Sequence, residues 1–194
     1  MSDIITLTEA KSFLGISGSD DDFILQLAVS SASDAVIQAL NGDPRSFAAT
    51  ETYNGTGSEK LGVNRSPITA VTSISIYAGD FPYISNPSTP IVVDLSNVYW
   101  TDYAVYWRAG KFTRGVKNVV INYTAGVDPT PNPIKMAALY TMKAMWNARF
   151  VDPNATSESY SGVMSQGFWS SGPGAVPPSA ISLLNPYMNR FKVM

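Results

Sequence analysis

The residue types that most often do chemistry in proteins are scarce in this chain. It contains no histidine, the commonest general base and metal ligand, and no cysteine, which excludes thiolate nucleophiles, disulfides and cysteine-bound zinc. A serine or threonine nucleophile would need a lysine or an N-terminal amine as its base. Neither the Ser-x-x-Lys nor the Gly-x-Ser-x-Gly pattern occurs. We therefore expect a protein that is not an enzyme.

Two stretches resemble ligand-binding motifs but lack essential members. The run from Gly55 to Lys60 (GTGSEK) opens like a dinucleotide fingerprint, yet it lacks the third glycine and no helix is predicted after it. Asp20, Asp21 and Asp22 lack the glycine and the final glutamate of a calcium loop, so we interpret them as a solvated helix start. The sequence thus predicts no catalytic residue, no metal and no cofactor.

Aromatic residues offer a different chemistry, since tryptophans can line a sugar-binding face. The four tryptophans are Trp100, Trp107, Trp146 and Trp169. We expect the first three in the core or in an interface, and a carbohydrate-binding module remains an alternative.

Composition limits the other classes of function. Charged residues are 14% of the 194, against roughly 25% in an average soluble domain, while hydrophobic residues are 45%. This indicates either a surface rich in Ser, Thr and Asn or a surface largely covered by partners. A net charge of −2 without a basic run argues against a dedicated nucleic-acid binder. We see no signal peptide, and no apolar run of the ~18 residues that a membrane helix needs.

The pattern of apolar residues predicts an α+β fold. Thr6 and Glu9 are spaced as a capping box and open a helix over about 6–15. A second helix is predicted over about 21–40, followed by β-type sequence over about 50–124. Its buried stripe is predicted to consist of Ile24, Leu27, Ala28, Ala32, Ala35, Val36, Ala39 and Leu40.

The stretch from Lys117 to Phe150 combines a strand, a proline-rich turn and the most apolar long segment of the chain. That segment predicts a helix over 133–150 with Pro133 in its first turn. Its few polar residues scatter around the axis, so we expect it to be covered on several sides by another helix, another subunit or both. The predicted architecture is a small core of three main helices with an antiparallel β insertion between the second and third.

Residues 151–194 differ in character from the predicted domain at 1–150. They are rich in Ser and Gly but carry large aromatic residues, which favours an extended C-terminal arm that packs on another molecule. A short helix is predicted over about 179–184. The alternative is that this segment folds back on its own domain.

The order of these elements resembles the head–tail connector (adaptor, or head-completion) proteins of long-tailed bacteriophages. The resemblance covers roughly residues 4–150, and its motifs are specific mainly through their order and spacing. The matching stretches are 5–14 (ITLTEAKSFL), 20–27 (DDDFILQL), 66–74 (SPITAVTSI), 123–127 (YTAGV), 133–135 (PIK) and 147–150 (NARF), with weaker matches at 177–178 (PP) and 183–187 (LLNPY).

The resemblance implies a structural protein of the virion neck, assembled in the host cytoplasm, with no membrane partner. Such proteins form a ring, commonly twelve-fold, between the portal and a stopper or tail-completion protein. Double-stranded DNA passes through the bore without sequence-specific binding. Another tail or baseplate subunit remains an alternative.

Within this interpretation, two sets of residues are predicted to make contacts. Aromatic residues concentrate binding energy, so the arm is expected to grip the portal mainly through them. The predicted portal-binding residues are Phe168, Trp169, Leu184, Tyr187 and Phe191. The predicted subunit-interface residues are Met142, Met145 and Trp146 on the third helix.

Overall fold

The described part of the chain has four α-helices and antiparallel sheets, which confirms the predicted α+β class. The structure is a computed structural model that describes residues 3–77, 90–149, 157–160, 164–167, 176–188, 190 and 191. Residues 78–89 of the predicted β region therefore lie outside the described residues, as do Phe168 and Trp169 of the predicted arm.

The helices begin and end within one or two residues of their predicted bounds. They are α1 (Leu7–Leu14), α2 (Asp22–Leu40), α3 (Asn132–Ala148) and α4 (Pro178–Leu184). Both hydrogen bonds of the capping box at Thr6 and Glu9 are present, and Gly15 ends α1 in the left-handed conformation. The α4 helix begins at Pro178, one residue before its predicted start, and Pro177 precedes it.

The strands form a four-stranded sheet, a three-stranded sheet and a hairpin, all with antiparallel pairing. The larger sheet has the order β1-β7-β3-β4, the smaller sheet has the order β2-β6-β5, and β8 pairs with β9. The strands are β1 (Phe47–Gly55), β2 (Lys60–Gly62), β3 (Ile68–Ile76), β4 (Ile91–Val92), β5 (Val98–Trp100), β6 (Ala104–Trp107), β7 (Gly115–Ala125), β8 (Ser157–Tyr160) and β9 (Met164–Gly167).

The chain divides into two compact units. Residues 1–39 and 131–186 form the first, which we call the helical unit, and residues 40–130 and 187–194 form the second, which we call the sheet unit. The predicted boundary between a domain at 1–150 and an arm at 151–194 stays a prediction. The described residues 176–186 nevertheless belong to the helical unit, where α4 packs against α3.

In the helical unit, α3 is covered by other helices of the same chain. Both α1 and α4 pack against it, and Ala180 and Leu184 of α4 are fully buried. The sequence predicted that another helix, another subunit or both would cover α3, and other helices of the chain do cover it. Met136 and Tyr140 remain more than one third exposed.

The buried face of α2 differs from the predicted stripe over its first half. Leu25 and Val29 are buried, whereas Ile24 and Leu27 are exposed. The sequence is apolar at 23, 24, 25 and 27, which is more than one helix face can hold, so periodicity alone chose the wrong face. The second half of the stripe, with Ala32, Val36 and Leu40, is buried as predicted.

By length and composition, α2 is also apolar enough to cross a membrane, contrary to the sequence expectation. This is weak evidence, because the core helix of a globular protein passes the same test. The prediction rested on uninterrupted apolar runs, whereas the mean hydropathy of α2 is high because Ile, Leu, Val, Phe and Ala outnumber its interspersed polar residues.

The core of the sheet unit lies against β7, which pairs with β1 on one side and β3 on the other. Ile121 and Tyr123 of β7 belong to its apolar cluster. Asn118 is fully buried, and its side chain accepts a hydrogen bond from the Gly55 amide at 2.8 Å and donates one to the Thr113 carbonyl at 2.9 Å. Because both groups of the amide are satisfied, this residue fixes the chain before β7 against the end of β1.

Candidate interaction surfaces

The first candidate surface is an apolar patch at the start of α2. It consists of Phe23, Ile24 and Leu27, and we call it the α2 patch. Their side chains are 83%, 48% and 61% exposed. Positions i, i+1 and i+4 lie on one side of a helix, so the three residues form a continuous surface. Single exposed apolar residues are ordinary in proteins, whereas a contiguous patch makes the start of α2 a candidate contact surface.

Acidic residues border the α2 patch on its N-terminal side. Asp21 and Asp22 are paired within the helical unit, with Arg149 at 3.1 Å and Lys11 at 2.6 Å respectively. Asp20 is exposed, and no ion pair to it is found among the described residues. The patch is therefore apolar with an acidic edge.

The second candidate surface is a row of aromatic and basic side chains on the three-stranded sheet. Lys60, Tyr106 and Tyr99 are cross-strand partners on β2, β6 and β5, so they point to the same face. The two tyrosine rings are stacked, with centroids 4.8 Å apart and planes 8° apart. Arg108 lies over Tyr99 at 4.7 Å, and Lys60 lies over Tyr106 at 5.8 Å. We call these four residues the aromatic ladder.

The two cations of the aromatic ladder are exposed and have no carboxylate partner among the described residues. Each is held over a ring by a cation–π contact, which is worth about 0.5–1 kcal/mol at an exposed site. The charges are therefore oriented before any partner binds.

A third cluster, around Glu51 in β1, has the residue types of a catalytic site. Tyr53 and Tyr123 both donate hydrogen bonds to the Glu51 carboxylate, the latter at 2.7 Å, and Arg65 donates a third at 3.0 Å. Burial alone would raise the pKa of Glu51, but these hydrogen bonds outweigh it and hold that pKa below its usual value.

The tyrosines of this cluster are correspondingly difficult to ionise. Burial, and then the hydrogen bond to Glu51, raise the pKa of Tyr53 to about 12. Burial and the contacts with Tyr53 and Glu51 also raise the pKa of Tyr123. An ionised carboxylate held by three donors is a poor proton donor or acceptor near neutral pH, so the arrangement suits a structural role.

The Glu51 cluster gives a prediction for the stability of the protein in acid. Because its pKa is lower in the folded state, ionised Glu51 stabilises the fold, and this stability is lost as the pH falls below the unfolded value of about 4.3 and through the folded value. We expect Glu51→Gln to flatten the decrease in free energy of unfolding on acidification. Urea titrations at several pH values measure it.

Glu59→Gln is the matched control for this measurement, since Glu59 is an exposed carboxylate of the same sheet unit. We expect this variant to follow the wild-type acid profile. If Glu51→Gln also follows it, the ionised form of Glu51 does not stabilise the fold more than the neutral form does.

Metal ligation finds no support in the part of the chain that the structure describes. No three His, Cys, Asp or Glu side chains converge there as a metal site would require.

The predicted subunit-interface residues lie on α3 with different exposures. Met142 and Trp146 are buried within the chain itself, and Met145 is half-buried. The Trp146 ring is covered by the guanidinium of Arg149 at 3.5 Å, which also pairs with Asp21. Their role between subunits stays a prediction.

The predicted portal-binding residues are not brought together among the described residues. Leu184 is buried in the helical unit, Phe191 is buried in the sheet unit, and Tyr187 is half-buried. Leu184 and Phe191 thus pack on their own chain, as expected for the alternative in which the C-terminal segment folds back. Their contact with a portal stays a prediction.

Sequence reasoning missed both candidate surfaces. A signal for the α2 patch existed, because four apolar residues within positions 23–27 exceed what one buried face accepts. No comparable signal existed for the aromatic ladder, since its members lie up to 48 positions apart and only the strand register joins them.

Comparison with protein families identifies the chain. The family model described as "Head completion protein" matches residues 3–189. The chain belongs to this family. The match includes α2, the whole β region and α4, so both candidate surfaces lie on a head completion protein. A comparison with curated proteins finds no match to the sequence.

Two solved structures of phage-like particles share the fold. A chain from the neck of an empty GTA (gene transfer agent) particle, computed with C6 symmetry, matches at a TM-score of 0.58 with 13% sequence identity, covering 98% of this chain and 90% of that one. A chain from the neck of a native GTA particle, computed with C12 symmetry, matches at 0.54 with 11% identity, covering 100% and 94%.

The family match confirms the resemblance and the function predicted from the sequence. This head completion protein is a structural component of the head–tail connector of a virion. The connector is thereby favoured over the tail, baseplate and carbohydrate-binding alternatives.

Proposed function

We propose that this head completion protein forms a ring of twelve copies between the portal and a stopper or tail-completion protein. Double-stranded DNA passes through the bore without sequence-specific contacts, and the ring is assembled in the host cytoplasm. The protein has no catalytic role and no membrane partner. The α2 patch is the observation that carries this proposal, because it is an apolar surface that the described residues of the chain leave exposed.

Ring geometry explains why one apolar patch suffices for assembly. A closed ring joins each copy to the next through a heterologous contact, in which two different surfaces of the same chain meet. Burying the α2 patch in every such contact removes apolar area from water at about 25 cal/mol per Å². The C6 and C12 symmetries of the two similar necks support a ring.

The mildly acidic chain fits the passage of DNA. A strongly basic bore would hold phosphates through counterion release and slow their exit. With a net charge of −2, this protein has no such excess of positive charge.

The proposal predicts the effect of charging the α2 patch. We expect the double variant Phe23→Asp, Leu27→Asp to fold with wild-type thermal stability, since both side chains are exposed, but to lose the ring. The loss is measured as the fraction of purified particles with a complete neck in electron micrographs. A neck formed normally by this variant would refute the proposed role of the patch.

Gln38→Asp is the control for this experiment. Gln38 is exposed on the same helix but outside the α2 patch, so Gln38→Asp adds one negative charge to the helix without removing apolar surface. We expect normal necks with Gln38→Asp.

A further inference from the structure

The aromatic ladder has the chemistry to receive a particular partner. Its face combines two stacked tyrosine rings, which offer apolar area, with two cations, Lys60 and Arg108, that lack carboxylate partners among the described residues. A complementary surface would be acidic and apolar at once. Cations already held over rings lose little side-chain freedom on binding, so pairing with a carboxylate costs less entropy.

The chain itself presents a surface of the complementary kind. The α2 patch supplies exposed apolar side chains, headed by Phe23, and Asp20 lies three residues before it. The charges of the two units agree with this match. The helical unit has 4 basic and 8 acidic residues, a net charge of −4, and the sheet unit has 9 and 7, a net charge of +2. Opposite potentials favour association of a helical unit with the sheet unit of another copy.

We propose that the aromatic ladder of one copy binds the start of α2 of a second copy, with Asp20 near Arg108 and Lys60 and with Phe23 against the tyrosine rings. This rests on the proposed ring and names the two surfaces that meet in its repeating contact. Because the surfaces differ, the contact is heterologous and can close a ring. Each copy uses its aromatic ladder in the contact with one neighbour and its α2 patch in the contact with the other.

The absence of native cysteine permits a direct test by cross-linking. Gly62→Cys places a thiol on the ladder face of β2, two residues from Lys60, where an added Cβ meets nothing within 4 Å. Ser19→Cys places a second thiol beside Asp20 at an exposed position. Neither substitution removes a member of the ladder or the patch.

We expect the double-cysteine variant, treated in purified particles with a short bis-maleimide, to give a series of covalent multimers on denaturing gels. Each single variant should remain monomeric, because a heterologous contact never brings two copies of the same position together. Covalent dimers from a single variant would overturn the proposal, since they indicate a symmetric contact. Intact necks without multimers from the double variant would overturn the proposal and leave the ring standing. Absence of any ring in wild-type particles would instead refute the proposed function.

A charge exchange tests the electrostatic part independently. We expect Arg108→Glu to weaken association between copies about tenfold, which corresponds to about 1.4 kcal/mol. Adding Asp20→Arg to the same chain should restore it. Lys111→Glu, which reverses an exposed charge of the same unit outside the ladder, is the control and should leave association unchanged. Failure of Asp20→Arg to restore association would overturn the proposal. Normal association of Arg108→Glu accompanied by weaker retention of packaged DNA would also overturn it, and would assign the ladder to phosphate binding.

Discussion

Replacing Phe191 with alanine is expected to lower the free energy of unfolding by about 3–5 kcal/mol, the usual loss for a buried phenylalanine. Its side chain is only 1% exposed, and Ser66 donates a hydrogen bond at 3.0 Å to the backbone oxygen of the preceding Arg190. The sequence predicted this residue as a portal anchor, which would require its side chain to be available. Chemical denaturation of the isolated protein, followed by portal binding of the refolded variant, separates the two roles.

Arg190→Ala provides the matched control, because Arg190 is exposed and its backbone oxygen remains in place to accept the bond from Ser66. We expect a change within about 0.5 kcal/mol. If Phe191→Ala were as stable as this control but no longer bound the portal, Phe191 would be an anchor and its burial would contribute little.

Substitution of Gly42 also tests whether packing of the segment around Phe191 stabilises the fold. A Cβ at this position would lie 1.6 Å from the backbone oxygen of Phe191, so Gly42→Ala must displace the segment that carries the aromatic ring. The substitution leaves every residue of that segment unchanged. Agreement between Gly42→Ala and Phe191→Ala in stability would therefore assign the effect to the docking of this segment on the sheet unit.

The second large effect is expected for Trp146→Ala, which should also cost about 3–5 kcal/mol of unfolding free energy. Trp146 is 7% exposed, and its removal also leaves Arg149 without the ring that it covers at 3.5 Å. Because the burial occurs within one chain, we expect the monomer to lose stability and the ring to weaken only as a consequence. Thermal unfolding of the monomer and the yield of complete necks give the two quantities.

Met136→Ala is the control on the same helix, since Met136 is 38% exposed and its truncation should change stability by less than about 1 kcal/mol. A Trp146→Ala variant with near-normal monomer stability but no ring would contradict the core assignment. It would support the role between subunits that the sequence predicted for this residue.

Local patterns determined much of the fold. The bounds of α1 followed from Thr6, Glu9 and Gly15, because caps and left-handed glycines act over a few residues and need no tertiary context. Prolines placed the start of α3 for the same reason. The α+β class and the family resemblance then followed from the order of such elements.

Surfaces were less predictable than elements, as α2 demonstrates. Its periodicity identified a helix but assigned Ile24 and Leu27 to the interior, where Leu25 and Val29 lie instead. Which side of an over-apolar helix is buried depends on the shape of its neighbours. The same limitation affected Leu184 and Phe191, whose apolar character indicates burial somewhere but not whether the covering surface belongs to the same chain.

The sequence by itself determined the helix bounds, the α+β class and a structural role in the head–tail connector, and it argued against histidine- and cysteine-dependent chemistry. Only the tertiary structure decided that Leu184 and Phe191 pack on their own chain, that the α2 patch is exposed, and that Lys60, Tyr106, Tyr99 and Arg108 form one row. The physical reason is the separation in sequence over which each kind of interaction acts. Caps and turns are set by neighbours in sequence, whereas burial and strand register depend on contacts between residues far apart in the chain.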